Sequence, residues 1–290
     1  MAEITMETIK KLREITGAGI MDCKKALAKA EGDFEKAQEI LRQKGAEKAE
    51  KKKDRATNSG IIETAVTETA AAVVELNCET DFVAKNDIFK GLAKEFAQAV
   101  ANAEGAELTF ETLPAAVAET IKTKLAEAIG KIGENMSLKR CVKISFGENG
   151  KVASYVHMGG KIAVLAEIEA ASKEAAAAPE TAELAKDIAM QVAAQCPKLV
   201  RREEFTEEEL NKQKQLIADL AKEENPNKPA NIVERIAGGK LEKYFQSACL
   251  VDQIFIKDSS KNIATLVKEV SKKVGAELTV KRFVRFSLGE

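Results

Sequence analysis

The sequence predicts an α+β fold: a small three-helix module, then two related parts in which helices cover antiparallel strands. Three observations carry that prediction. Apolar residues recur at helical spacing over the first 45 positions; past a charged stretch the period changes to two; and a strand-then-helix pattern returns at an offset of 92 residues.

Thr5 can cap a first helix reaching Ile15, with Ile4, Ile9 and Leu12 on its apolar side. Gly17-Ala18-Gly19 breaks it, and a second helix over 20–30 ends at Gly32. Asp33 caps a third, in which Phe34, Ala37, Ile40 and Leu41 recur at helical spacing until Gly45 stops it. Residues 44–55 are charged with almost nothing to bury, so they form a solvated helix or a linker, and a domain boundary falls there.

Residues 60–66 and 71–78 then alternate as two strands, followed by helices over 87–103 and 115–129. Three more strand-like runs occupy 139–146, 151–158 and 161–170. Asn149-Gly150 and Gly159-Gly160 supply turns between them, which predicts a three-stranded meander. Thr206-Glu207-Glu208-Glu209 is a capping-box pattern opening a helix to about 224, Pro226-Asn227-Lys228-Pro229 makes a tip, and 231–245 returns as a helix. Leu210, Leu216, Ile217, Leu220, Ile232 and Ile236 are available as the seam of that hairpin, which could also recruit a second subunit. A helix over 261–274 and an alternating strand over 278–286 complete the chain.

The repeat is specific. Leu92-Ala93-Lys94-Glu95-Phe96-Ala97 matches Leu184-Ala185-Lys186-Asp187-Ile188-Ala189, and the same offset sets Val73-Val74-Glu75-Leu76 on Leu165-Ala166-Glu167-Ile168. The copies diverge between strand and helix. The first carries Cys78-Glu79-Thr80-Asp81-Phe82-Val83-Ala84-Lys85-Asn86; the second carries Ala170-Ala171-Ser172-Lys173-Glu174 and a run of alanines. Phe82 in such a loop is either a cap on its own core or an anchor for a partner's pocket, and pattern alone favours the core.

Composition narrows the function. The 290 residues carry 45 basic and 46 acidic side chains, a net charge of −1, which argues against a dedicated nucleic-acid binder. No apolar run approaches the ~18 residues of a membrane span, and the N-terminus lacks the order of a secretory signal, so a cytoplasmic protein is expected. The five cysteines form no CxxC pair and read as reduced core thiols, with no metal site. The single histidine, His157, lies beside the Gly159-Gly160 turn with no candidate nucleophile near it in sequence. No GxxxxGK[ST] loop and no GxGxxG after a strand is present, so direct nucleotide binding, a cofactor and an enzymatic role are not expected.

Leu12-Arg13-Glu14-Ile15-Thr16-Gly17-Ala18-Gly19-Ile20-Met21-Asp22-Cys23-Lys24-Lys25-Ala26-Leu27 closely resembles the N-terminal signature of the elongation factor Ts family. Thr80-Asp81-Phe82-Val83-Ala84-Lys85-Asn86 resembles its second signature. Lys131-Ile132-Gly133-Glu134-Asn135, Ser154-Tyr155-Val156-His157 and Asp252-Gln253-Ile254-Phe255-Ile256-Lys257 resemble further stretches in the expected order, and the likeness runs over nearly the whole chain. The resemblance implies a ubiquitin-associated-like module and two related α+β subdomains with an inserted hairpin. The divisions expected are 1–54, 55–139 and 140–290, the hairpin at about 206–246.

It also implies a guanine-nucleotide exchange factor whose partner is elongation factor Tu. In the family an Asp-Phe pair enters the partner's nucleotide domain beside the magnesium and phosphate site, which maps to Asp81 and Phe82 and reverses the order of the two readings of Phe82. Lys24, Thr80, Val83, Ile132, Gly133 and His157 complete the expected partner-binding set. A homodimer or two-to-two complex is compatible. This sequence departs from the family pattern at Gln191, where a second histidine is expected, and ends at Leu288-Gly289-Glu290, where a family member continues into a helical module. The rival reading is a protein-binding adaptor that uses the three-helix module without exchanging nucleotide; an RNA-associated role for residues 48–55 is disfavoured by the neutral charge.

Overall fold

The computed structural model describes residues 4–290. The chain forms two compact units. One comprises the residues up to Ser145 with Met158–Ile162 and Phe286–Glu290; the other comprises Phe146–His157 with Ala163–Arg285.

The first unit opens with α1 (Met6–Thr16), α2 (Ile20–Lys29) and α3 (Phe34–Glu50). Thr5 accepts the Thr8 amide and the Thr8 side chain bonds back to the Thr5 backbone, a reciprocal cap. Gly17, at φ 65°, closes α1 in the left-handed conformation that glycine adopts without a Cβ clash. Ile9, Leu12, Cys23, Ala26, Leu27, Ala30 and Ala37 make a small core, with Phe34, Ile40 and Leu41 packed against it. Ile4 does not join it: it precedes the cap and is exposed.

Gly45 does not end α3, which continues to Glu50. A Cβ at Gly45 would stand 3.2 Å from the carbonyl oxygen of Ala126, and one at Gly130 would meet the Gly45 Cα at 3.2 Å. The glycine permits a close helix crossing rather than a stop, and the charged stretch is half helix for that reason.

Next come β1 (Ser59–Val66), β2 (Ala70–Cys78), the single-turn helix α4 (Asp81–Ala84), α5 (Asp87–Asn102), β3 (Glu107–Thr109), α6 (Ala115–Ile132) and β4 (Met136–Ser145). The four strands form an antiparallel sheet in the order β1-β2-β4-β3. All nine residues of β2 are buried, so its backbone needs a strand on each side, and β1 and β4 supply them. Phe89, Phe96 and Val100 of α5 and Ile121 and Ile129 of α6 pack in the same core as Val74 and Leu76.

The expected meander is therefore not formed. β4 belongs to this first sheet, whereas β5 (Gly150–His157) and β6 (Ile162–Ala170) belong with the last strand, β9 (Leu278–Ser287), to a second sheet in the order β5-β6-β9. Asn149-Gly150 is not a hairpin between neighbours: the Asn149 carbonyl takes the Ala170 amide at 2.9 Å, at the far end of β6. The Met158-Gly159-Gly160 turn, with φ of 51°, 65° and 92°, does join β5 to β6.

α7 (Lys173–Ala177), α8 (Pro179–Gln195), α9 (Glu207–Glu224), α10 (Ala230–Ala248), β7 (Ile254–Phe255), β8 (Asp258–Asn262), α11 (Ile263–Val274) and β9 (Leu278–Ser287) complete the chain. Thr206 and Glu209 form the capping box of α9. In the α9–α10 hairpin Ile217, Ala221 and Val233 are buried, while Leu216 and Leu220 lie on the exposed side of α9 and are not part of the seam.

The duplication is visible element by element. A shift of 92 residues carries β2, α4 and α5 onto β6, α7 and α8; a shift of 142 carries β4 onto β9 and the end of α6 onto the end of α11. The longer second shift reflects the intervening hairpin. Each central strand also buries one carboxylate completely. Glu75 meets Arg140 at 2.7 Å and Lys139 at 3.5 Å. Its counterpart Glu167 meets Arg282 at 2.6 Å and Lys281 at 3.3 Å.

Gln191 is interior. Its Nε2 donates to Gln253 Oε1 and the Ile254 carbonyl, both at 3.1 Å, and its Oε1 accepts the Ile256 amide at 2.9 Å. In this chain that position ties α8 to the β7 segment.

Candidate functional site

The segment between β2 and α5 is built by capping. Thr80 is extended (φ −124°, ψ 157°) and its side chain accepts the Val83 amide, which starts the one turn of α4. Asn86 then accepts the Ile88 amide at 2.8 Å and starts α5. A four-residue turn offers two residues inward and two outward. Val83 and Ala84 are buried; Asp81 and Phe82 point out.

Phe82 is 81% exposed, the highest value among the large apolar residues described, ahead of Met158 at 70%. The core reading of Phe82 is thereby excluded in the unbound chain. Ile88, the first exposed apolar residue of α5, stands 57% exposed six positions later. Asp81 bonds Lys85 at 2.8 Å, and this pair holds its carboxyl below the ordinary aspartate value. Both side chains are open to water, so the pair contributes little to stability.

The counterpart turn in the second copy makes the contrast. Ser172 caps α7 as Thr80 caps α4, and Ala175 and Ala176 are buried like Val83 and Ala84. The two outward positions there are Lys173 and Glu174. The cap and the buried pair are shared, and the presented pair differs.

Of the other expected site residues, Ile132 and Gly133 come to this turn. Ile132 is half-buried against the core and Gly133, at φ 90°, closes α6. The next residue, Glu134, reaches Thr80: its carboxylate accepts the Thr80 amide at 3.0 Å and the Thr80 hydroxyl at 2.7 Å. Glu79 Oε1 in turn accepts the Asn135 amide at 2.6 Å. Lys52 donates to the Gly133 carbonyl, and Asn135 Nδ2 donates to the carbonyls of Lys53 (3.2 Å) and Arg55 (2.8 Å). Lys24 lies exposed on α2, and His157 lies in the second unit at the exposed end of β5, stacked on Tyr155 with a 3.0 Å hydroxyl–Nδ1 bond.

Glu79 and Glu134 were not among the expected site residues. Both fall in or beside the stretches that carry the family likeness, but nothing local in sequence tells a carboxylate to reach back across 54 positions. The repeat held a signal: at a shift of 142 the counterpart of Glu134 is Ala276.

Below the turn, Cys78 is buried and its thiol donates to the Thr80 carbonyl at 3.1 Å; burial pushes its pKa up to about 11. Cys23, Cys141 and Cys249 are likewise buried, and Cys196 is exposed. Among the described residues no cluster of His, Cys, Asp or Glu is placed to hold a metal ion, and no helix is long and apolar enough to cross a membrane. What the turn offers is an apolar side chain beside a carboxylate, held on a rigid base, suited to entering a protein partner's pocket.

The sequence pattern of the family described as Elongation factor TS matches residues 79–290. Elongation factor Ts of Clostridium perfringens (strain 13 / Type A) is 44% identical over 292 residues, covering 99% of this chain and 93% of the relative. That of Clostridioides difficile (strain 630) is 43% identical, covering 100% and 94%. That of Lawsonia intracellularis is 41% identical, covering 99% of each.

Proposed function

The chain belongs to the elongation factor Ts family, and from that premise we propose that it is the guanine-nucleotide exchange factor of elongation factor Tu. Asp81 and Phe82 are the residues that enter Tu beside its magnesium and phosphate site. The observation that carries this reading is Phe82, 81% exposed on a turn whose counterpart in the second copy has a glutamate. An exposed phenylalanine on a well-capped turn is ready to be buried elsewhere. Lys24, Thr80, Ile132, Gly133 and His157 complete the proposed contact set, while Val83, expected there from sequence, is buried under the turn and supports it from within.

Exchange of this kind makes and breaks no covalent bond. The factor needs only to bind nucleotide-free Tu better than GDP-bound Tu. By reciprocity it then weakens GDP by the same factor by which GDP weakens it. Calorimetric titration into Tu with and without GDP tests this. The reading expects a clear preference for the nucleotide-free form. Equal affinity for both forms would instead identify an adaptor that binds Tu without exchanging its nucleotide.

A further inference from the structure

We propose that Glu134 is a positioning residue for exchange: it fixes the Thr80 turn in the arrangement that directs Phe82 outward. The proposal rests on the exchange reading above.

Phe82 receives almost no help from the core, being 81% exposed, and α4 has only four residues, too few to hold a helix unaided. Its direction is therefore set by what fixes the cap. Thr80 is fixed twice by one carboxylate, through its amide (3.0 Å) and its hydroxyl (2.7 Å), while the same hydroxyl oxygen takes the Val83 amide at 3.4 Å. The clasp is reciprocal. Glu79, beside Thr80, grips the Asn135 amide at 2.6 Å, and Glu134, beside Asn135, grips Thr80. Asn135 is itself buried and anchored to the Lys53 and Arg55 carbonyls, so the carboxylate pulls against a fixed base.

The second copy separates a structural role from a positioning one. There Glu79, Thr80, Glu134 and Asn135 correspond to Ala171, Ser172, Ala276 and Glu277. The two segments are joined by a plain backbone bond, Ala171 amide to Glu277 carbonyl at 2.9 Å, and Ser172 still caps its helix at 3.2 Å. Strand, cap and helix thus form without either carboxylate. The carboxylate clasp occurs in the copy that presents a phenylalanine.

The test is a double-mutant cycle of Glu134→Ala with Phe82→Ala, read as release of fluorescent GDP from Tu over a concentration series. Amide exchange at Thr80 is followed alongside, with the Ala171 amide as internal control. Losing charge-assisted bonds to one residue should slow release about tenfold in the parent chain. It should cause no further slowing once Phe82 is gone, because the residue it positions is absent. The Thr80 amide should exchange faster while Ala171 does not change. Glu134→Gln, which keeps one acceptor oxygen, should lose about threefold and replaces the alanine variant if that fails to fold.

Equal slowing in both backgrounds would overturn the proposal, as would a Glu134→Ala chain with a loosened Thr80 amide and full exchange activity. Failure of the underlying reading shows in its own arm: Phe82→Ala alone would then release GDP like the parent.

Discussion

Phe82→Ala removes the side chain on which the functional reading turns, and the exposure of that side chain sets the effect expected on fold and on exchange. At 81% exposure the ring contributes almost nothing to the core, so thermal stability should stay within about 0.5 kcal/mol of the parent. The same exposure leaves nearly the whole ring to be buried in a partner. Full burial of a phenylalanine is worth about 1.5–3 kcal/mol, which corresponds to roughly a ten- to hundredfold change in rate or equilibrium constant. Stopped-flow release of fluorescent GDP from Tu, at several concentrations of the variant, reads that factor directly. Release within about twofold of the parent would show that the Phe82 ring is not buried in Tu during exchange. So would slow release accompanied by a large loss of stability, since Phe82 would then be acting through the fold.

Other outcomes follow from the packing. Gly45→Val should destabilise by about 1–3 kcal/mol in thermal melts, because its Cβ is forced against the Ala126 carbonyl, less a few tenths regained in helix propensity; an unchanged melting point would mean the crossing is looser than described. Arg140→Ala should cost about 3 kcal/mol, since Glu75 is wholly buried and loses its nearest partner, and adding Glu75→Gln should recover part of that loss. Gln191→Ala should cost about 1–3 kcal/mol by stranding the buried Gln253 Oε1, read by denaturant unfolding. With a maleimide at about pH 8, Cys196 should label first. Cys78, Cys141 and Cys249, whose pKa values burial raises to about 11, 12 and 11, should label only on unfolding. Because their folded values lie above the unfolded one, these thiols stabilise fully below the ordinary thiol range, and that contribution is lost as the pH rises toward 12.

Much of this fold was legible because its signals are local or repeated. Thr5, Asp33 and Thr206 each announce a helix start within four residues, and each caps one. The offset of 92 located β6 and α8 from β2 and α5, and it singled out the segment carrying Phe82 as the difference between copies. What was not legible depends on partners distant in sequence. Gly45 looks like a stop until Ala126 and Gly130 are beside it. Asn149-Gly150 looks like a hairpin until β4 is seen to be taken by β2 and β3. The exposure of Phe82 could not be read from pattern, since a phenylalanine in a short loop serves a core as readily as a partner. Glu134 needed the fold outright: its bonds to Thr80 exist only because the end of α6 closes beside the end of β2.

The proposed exchange function requires that this chain unload GDP from elongation factor Tu through the turn presenting Phe82. Release of fluorescent GDP from excess Tu by a substoichiometric amount of the chain tests it most directly, with Glu174→Ala as the control at the matching position of the second copy. Many turnovers per molecule are expected, unchanged by Glu174→Ala and slowed roughly ten- to hundredfold by Phe82→Ala. A tight complex that leaves the GDP release rate of Tu unaltered would contradict it.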